Sequence, residues 1–301
     1  MALTSLRMHP RMPIHLRPTA KLAERVLLPG DPGRALALAQ LLIDGPLMFN
    51  HHRGLWGYTG PTIADGEPLT IQSTGMGGPS AAIVLHELIA LGAQRAIRVG
   101  TCGALAATEM LVDSGMRAEL VSPESVRGEC HPAPAGGLAL GDLVVAHEAL
   151  ATDGASRSLG AGARIAADRA LTAALARAAN GNGSVARTHG NRNAAQTAGS
   201  ERQSPAERSP HPGATIVSTD LFYEPNPDRE REWRAAGAVA VEMEAAALFA
   251  VGARAGIPVA CVLTVSNLLG GDPGEQQEHI DDDTLLTAAE AMGRAAVSAL
   301  V

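Results

Sequence analysis

Short apolar runs alternate along this chain with longer amphipathic or alanine-rich stretches. The apolar runs have the near-continuous hydrophobicity of strands buried on both faces, and they lie at 26–28, 69–73, 96–99, 142–146, 214–218 and 259–265. The longer stretches predict helices at 35–43, 81–91, 164–179, 228–236, 245–254 and 284–300. Strands that alternate with helices in this way predict an α/β fold.

Two carboxylates, Glu242 and Glu244, interrupt an apolar run directly before one of these helices. The next predicted strand, at 259–265, leads into the polar pair Ser266–Asn267. Ligands in open α/β sheets bind at the carboxyl ends of strands, so Glu244 and Asn267 are candidates for a common site. The structural alternative is that one carboxylate pairs with a buried arginine and the other faces water.

Two glycine-rich loops after predicted strands have the composition of anion sites. The first contains Gly30 and places Arg34 at the start of a helix, and the second combines Arg98 with Thr101. Backbone N–H groups and helix N-termini attract phosphate, and an arginine adds a charged fork. Neither loop matches the GxxxxGK[ST] pattern of the P-loop. The pair therefore indicates a phosphate site of another kind.

A third loop, at 73–80, contains Met76 among glycines that let a ligand approach the backbone. Phe222 and Tyr223 are neighbours in a chain with only 2% aromatic residues. Aromatic rings at a strand end either stack on a planar ligand or fill the core, and both interpretations stay open.

Arg53 lies in a turn directly after two histidines, His51 and His52. Adjacent residues of a strand point to opposite faces, and no carboxylate or cysteine completes a set of ligands here. We therefore predict no metal site, and Arg53 is the more interesting residue of this turn.

The composition narrows the classes of protein. A net charge of −7 argues against a nucleic-acid partner, and no apolar run is long enough to cross a membrane. Three cysteines without CxxC spacing suit neither a disulfide framework nor a zinc site. With no secretory signal pattern, we expect a cytoplasmic protein. Its 301 residues suit one domain, with a loose N-terminus at 1–13 and a disordered insertion at 180–213, where almost no large aliphatic residue occurs.

Six motifs in order resemble one family: LPGDPGR (28–34), RGLWGYTG (53–60), STGMGGPS (73–80), RVGTCGA (98–104), STDLFY (218–223) and VEMEAAALF (241–249). Together they are similar to the hexameric purine nucleoside phosphorylases of the nucleoside phosphorylase/uridine phosphorylase superfamily. The resemblance implies one domain, with a central mixed, twisted β-sheet flanked by helices. It also implies phosphate-dependent cleavage of purine nucleosides, with inorganic phosphate as co-substrate and no other cofactor.

The resemblance also implies roles for single residues. Phosphate would be bound by Gly30, Arg34, Arg98 and Thr101, with Arg53 reaching in from a neighbouring subunit of a homo-oligomer, expected to be a hexamer built as a trimer of dimers. His15 would cross the same interface to the ribose 5′-hydroxyl. The nucleoside would otherwise be held by Met76, Phe222, Tyr223, Val241, Met243, Glu244, Ser266 and Asn267, and the catalytic groups would be Arg34, Arg98 and Asn267.

Asn267 departs from the family pattern, in which many members carry an aspartate after the TVS motif. An amide donates a hydrogen bond but transfers no proton. We therefore expect a preference for 6-oxopurine nucleosides, inosine and guanosine, over adenosine. Methylthioadenosine phosphorylase and uridine phosphorylase of the same superfamily remain alternatives, as does a nucleoside-binding protein that has lost its chemistry. A dinucleotide-binding enzyme is disfavoured because GxGxxG is absent after the first strand.

Overall fold

A computed structural model describes residues 13–105, 137–185, 211–269 and 279–301. Most of the predicted N-terminal leader and of the predicted 180–213 insertion falls outside these residues. In the described part, ten strands are present: β1 (Arg25–Leu28), β2 (Leu47–Asn50), β3 (Gly57–Pro61), β4 (Pro68–Gln72), β5 (Arg95–Leu105), β6 (Leu143–Ala151), β7 (Arg164–Ala166), β8 (His211–Ser218), β9 (Ala238–Glu242) and β10 (Val259–Leu269).

The described residues also form seven α-helices: α1 (Pro32–Leu42), α2 (Gly78–Leu91), α3 (Gly154–Ser158), α4 (Arg169–Val185), α5 (Arg229–Ala235), α6 (Ala245–Ala255) and α7 (Asp282–Ala299). Their ends follow local chemistry. Asp31 caps α1 by accepting from the Arg34 backbone N–H at 2.6 Å, and Asp281 caps α7 in the same way through Thr284 at 2.8 Å. Helix α6 ends at Gly256, whose φ of 73° is left-handed.

The strands form one mixed sheet in the order β10-β6-β8-β9-β5-β1-β4-β3-β2. An additional parallel pairing of β10 with β5 closes part of this sheet into a ring of five strands: β5, β10, β6, β8 and β9. The mixed sheet was predicted, but its closure was not. Closure leaves β5 shared between the open arm, where it pairs with β1, and the ring, where it pairs with β10 and β9.

The core lies on both faces of the sheet. Val26 and Leu28 of β1 pack into one hydrophobic cluster with α2 and α6, whereas Leu27 packs into another with α1, α4 and α7. Neighbouring residues of a strand point to opposite faces, so a strand between two helical layers must be apolar throughout. This confirms the predicted α/β fold with helices on both faces.

Two predicted boundaries were wrong. The stretch 164–179 was predicted as one helix, but it begins as the short strand β7, paired antiparallel with β6, and α4 starts only at Arg169. Because this stretch is rich in alanine, its sequence does not show where the two-residue repeat of a strand changes to the 3.6-residue repeat of a helix. Helix α4 also continues to Val185 and β8 begins at His211, so both ends of the predicted insertion have regular structure. Residues 186–210 lie outside the described part.

Strands β5 and β10 are also longer than predicted. Gly100–Gly103 and Ser266–Asn267 were predicted to follow their strands, yet both segments are strand residues, and the pairing of β5 with β10 continues to Leu105 and Leu269. Parallel pairing inside the ring satisfies their backbone groups, which explains why glycines do not end the strand here. None of the helices in the described ranges has the length and hydropathy to cross a membrane.

Candidate active site

The buried guanidinium of Arg98 lies between two carboxylates. Its Nε is 2.8 Å from Glu242 Oε2, and its Nη2 forms an ion pair with Glu244 Oε2. Burial alone would lower the pKa of Arg98, but Glu244 and then Glu242 outweigh it and raise that pKa above its ordinary value. The alternative in which one of the two carboxylates faces water is excluded, because both are buried and both pair with Arg98.

Glu242 organises the start of α6. Its carboxylate accepts from the backbone N–H groups of Glu244 at 2.9 Å and Ala245 at 2.9 Å, and from the Ser218 hydroxyl of β8. Ser218 Oγ in turn accepts from the Ala246 N–H at 2.8 Å. These contacts satisfy N–H groups that a helix start leaves unpaired and favour a negative charge there. Glu242 thus joins β8, β9, α6 and Arg98.

Glu244 has fewer partners and faces a cavity. Its Oε1 accepts from the Gly77 backbone N–H at 2.6 Å, in the loop before α2, and its Oε2 pairs with Arg98. Gly77 has a φ of 87°, a left-handed conformation that favours glycine. Two anchored oxygens fix the carboxylate in place while it keeps lone pairs for a ligand.

Gly100 makes room for the Arg98 side chain. A Cβ atom at Gly100 would lie 2.9 Å from the Arg98 guanidinium carbon and 3.1 Å from Leu263. The glycine of this motif is therefore explained by a close approach within the strand, and not by the loop that the sequence analysis expected.

These groups line a cavity of about 1090 Å³ at the point where β5 passes from the open sheet into the ring. Twelve of the residues that the sequence analysis assigned to a site line this cavity: Gly30, Arg34, Met76, Arg98, Thr101, Phe222, Tyr223, Val241, Met243, Glu244, Ser266 and Asn267. They come from six separate segments of the chain.

One end of the cavity suits an anion. Arg34 lies in the first turn of α1 beside Gly30, and Arg98 and Thr101 lie opposite on β5. Burial lowers the pKa of the Arg34 guanidinium, Asp31 opposes this effect and Arg98 adds to it. Arg98 Nη1 is buried and has no hydrogen-bond partner among the described residues. A buried donor without a partner is costly, so this atom indicates where an acceptor binds.

The aromatic pair also lines the cavity. Phe222 and Tyr223 are 67% and 88% exposed, with ring centroids 5.1 Å apart in an edge-to-face arrangement. Exposure at this level excludes the alternative in which the rings fill the core. Both rings are instead available to a planar ligand.

A β-bulge brings Ser266 and Asn267 to the cavity together. On β5, Cys102 and Gly103 pair with Val265 and Asn267, which leaves Ser266 as an extra residue. Consecutive residues of a regular strand point to opposite faces, and a bulge removes this restriction. The Ser266 Oγ lies 3.1 Å from Asn267 Oδ1 and 3.3 Å from the Cys102 carbonyl oxygen, and its one proton serves one of these acceptors at a time. The Asn267 Nδ2 group is a donor in either case.

His15 and Arg53 do not line the cavity of their own chain. Glu87 of α2 accepts from His15 Nδ1 at 2.7 Å and from the Leu16 N–H at 2.7 Å, and His52 Nδ1 contacts the His15 carbonyl at 2.9 Å. Burial alone would raise the pKa of Glu87, but these hydrogen bonds lower it. His15 and the turn that carries Arg53 thus share one surface.

Arg53 is the one non-glycine residue of the described part with a positive φ, at 60°. It is exposed, in a 3-10 turn at His52–Gly54. Such a conformation is uncommon outside glycine, and it is found where a side chain must be aimed in a particular direction. The described residues contain no group of three or more side chains suited to a metal ion, including around His51 and His52.

The cavity wall also contains residues that were not predicted as site residues, among them Glu230 and Trp233. Both belong to α5, which was interpreted only as a charged helix. The available signal was the apolar Trp233 one turn after Glu230 within an otherwise polar segment.

A family model described as the phosphorylase superfamily matches residues 24–114 and 133–301. Among curated proteins, a DeoD-type purine nucleoside phosphorylase of Geobacillus kaustophilus is 31% identical over 93% of this chain and 98% of its own length. A DeoD-type enzyme of Roseobacter denitrificans is 33% identical over 93% and 99%. A third, of Caldanaerobacter subterraneus, is 32% identical over 86% and 89%.

The contacts of Glu242 predict that it is a structural residue. In Glu242→Ala, Arg98 loses one of its two partners and the start of α6 loses its acceptor, so we expect the free energy of unfolding to fall by about 3–5 kcal/mol. Urea unfolding measures this. The control is Glu290→Ala, which breaks an exposed pair with Arg294 and should cost less than about 1 kcal/mol. Equal losses in the two variants would mean that the buried cluster does not stabilise the fold.

Proposed function

Since the chain belongs to the phosphorylase superfamily, and its relatives over most of its length are purine nucleoside phosphorylases, we propose that it cleaves purine nucleosides with phosphate, and 6-oxopurine nucleosides in preference. The products are the free base and ribose 1-phosphate, and inorganic phosphate is the only co-substrate. The observation that carries the proposal is the unpartnered Arg98 Nη1 beside Arg34 and Thr101 in a cavity that also holds Glu244.

Phosphate is the nucleophile in this proposal. Arg34, Arg98, Thr101 and the Gly30 backbone hold it, and an oxygen of the phosphate forms a bond to C1′ while the C1′–N9 bond breaks. The electron pair of the broken bond leaves with the base, which then takes up one proton from water. Positive charge that develops on the ribose is stabilised by the bound phosphate and by the nearby Glu244.

Glu244 and Met243 hold the ribose in this proposal. The anchored carboxylate of Glu244 accepts hydrogen bonds from two sugar hydroxyls, which fixes C1′ relative to the phosphate. Phe222, Tyr223 and Val241 flank the base, and the exposed Met76 also contacts the nucleoside.

Asn267 supports the preference for 6-oxopurines. Its Nδ2 group, which only donates, donates to N7 or O6 of the base. A 6-oxopurine leaves as an anion that such hydrogen bonds stabilise. Adenine depends more on protonation at N7, which an amide does not supply.

We also propose that the active unit is a homo-oligomer, with a hexamer as the expected form, in which His15 and Arg53 complete the site of a neighbouring subunit. Both lie away from their own cavity on one surface, and exposed apolar side chains of Ile14 and Trp56 lie beside them in sequence. The free thiols of Cys102 and Cys261 suit a reducing compartment and so support a cytoplasmic location.

The direct test is release of base from inosine, guanosine, adenosine, uridine and methylthioadenosine, with and without phosphate. We expect cleavage of inosine and guanosine that requires phosphate, with adenosine slower. Uridine as the best substrate would overturn the assignment to purine nucleosides. Methylthioadenosine as the best substrate would overturn the preference for 6-oxopurines. Binding without turnover would favour a nucleoside-binding protein.

The Asn267→Asp variant tests the base preference. A carboxyl group at this position is able to protonate N7, so the ratio of kcat/KM for adenosine to that for inosine should rise by at least about tenfold. Steady-state kinetics on both nucleosides measure the ratio. Asn180→Asp, on the exposed side of α4, is the control and should leave it unchanged. An unchanged ratio in Asn267→Asp would contradict the proposal that the Asn267 amide sets the base preference.

The shared site is tested by mixing two inactive variants, Arg53→Ala and Arg34→Ala. After dissociation and reassembly, an Arg53→Ala subunit receives an intact Arg53 from an Arg34→Ala neighbour. With random pairing in a closed symmetric assembly, about a quarter of the sites should then be active. Mixing without dissociation is the control. If reassembled mixtures stay inactive, Arg53 acts within its own chain or not at all.

A further inference from the structure

We propose that Glu230 and Trp233 of α5 recognise the O6/N1–H edge of a 6-oxopurine base, with the Glu230 carboxylate accepting from N1–H and the Trp233 indole N–H donating to O6. This inference rests on the proposed function and names the groups that would set its base preference. Both residues line the cavity, as do Phe222 and Tyr223.

Trp233 supplies a donor without a partner. The residue is only 5% exposed, and its ring packs against Leu105, Val217 and Ala238 where the ring of strands closes. Its Nε1 is buried and has no hydrogen-bond partner among the described residues. Buried indole N–H groups normally find an acceptor, so an unpaired one in a cavity wall indicates a ligand atom.

Glu230 supplies a carboxylate acceptor that few groups of the protein contact. Its side chain is 31% exposed, and the nearest cation in the described residues is Arg234, with Nη1 3.7 Å from Glu230 Oε2, beyond hydrogen-bond distance. The neighbouring Glu224 is more occupied, because it accepts from the Asn226 N–H at 3.0 Å within its own loop. Glu230 therefore has the freer carboxylate.

Helix geometry places the two groups together. Residues three apart lie on the same face of a helix, so α5 presents an acceptor and a donor side by side to the cavity. An ionised glutamate only accepts and an indole only donates. This pair matches a base edge that offers one N–H and one acceptor next to each other.

Asn267 decides between the two purine classes. Its Nδ2 group only donates, so it suits N7 and an oxygen at position 6, and it opposes an amino group there. With O6 as the acceptor, the N–H group on this edge of the base is N1–H. Glu230 would accept a hydrogen bond from it. A guanine base would add its 2-amino group as a second donor on the same side.

The test compares inosine with 1-methylinosine, which lacks the N1–H donor. We expect wild-type protein to favour inosine in kcat/KM by about 10- to 100-fold, the range of a hydrogen bond to a charged group. Glu230→Gln should lower kcat/KM for inosine and bring the two nucleosides to within about threefold of each other. A merely structural effect would lower both nucleosides together and leave their ratio intact.

Glu232→Gln is the matched control, since it lies on the same helix, pairs with Arg229 and does not line the cavity. Trp233→Phe keeps the aromatic packing and removes the indole N–H donor. Purine riboside has no O6, so the ratio of kcat/KM for inosine to that for purine riboside should be smaller in this variant than in wild-type protein. A wild-type protein that cleaves both members of each pair equally well, or a ratio unchanged in Glu230→Gln, would overturn the inference. Absence of any phosphate-dependent cleavage by wild-type protein would instead overturn the proposed function.

Discussion

The ion cluster of Arg98 with Glu242 and Glu244 is the interaction on which the rest of the site depends. Three charges are buried together, which is tolerable only because each is paired and the two carboxylates also accept backbone hydrogen bonds. The hydrogen bonds of Glu242 are made within the protein, where they fix the start of α6 and connect it to β8. Glu244 is held by two contacts and still faces the cavity. The same cluster thus holds α6 in place and orients the Glu244 carboxylate at the cavity wall.

The position of this cluster follows from the path of one strand. The first half of β5 pairs with β1 in the open arm, and the second half pairs with β9 in the ring, while β10 follows it throughout. Where β5 changes neighbours, β1 no longer covers it and a cavity opens. Arg98 and Thr101 stand at this change, opposite the loop that carries Gly30 and Arg34. The closed ring explains how residues from distant segments meet without a separate substrate domain.

Local patterns predicted the elements and most cavity residues, but they did not predict how the sheet closes. Arg98 and Glu244 were recognisable because charges are rare in apolar runs. The pairing of β10 with β5 was not recognisable, because the sequence of a single strand does not show which distant strand it pairs with or in which register. The bulge at Ser266 was hidden for the same reason. Glu230 and Trp233 were missed because α5 reads as a polar surface helix, and only tertiary packing shows which face the cavity covers.

The charges of the described cavity wall give a physical reason for sharing the site between subunits. Arg34 and Arg98 are its two cations, whereas five carboxylates also line it: Asp31, Glu224, Glu230, Glu242 and Glu244. A phosphate dianion would enter against this excess of negative charge, and both arginines already have carboxylate neighbours. One more cation at the phosphate end would reduce the repulsion directly. In the proposed oligomer, Arg53, which is exposed, has a positive φ and does not line its own cavity, would supply that charge to a neighbouring subunit. In this view, oligomerisation belongs to the chemistry of phosphate binding, and not only to stability.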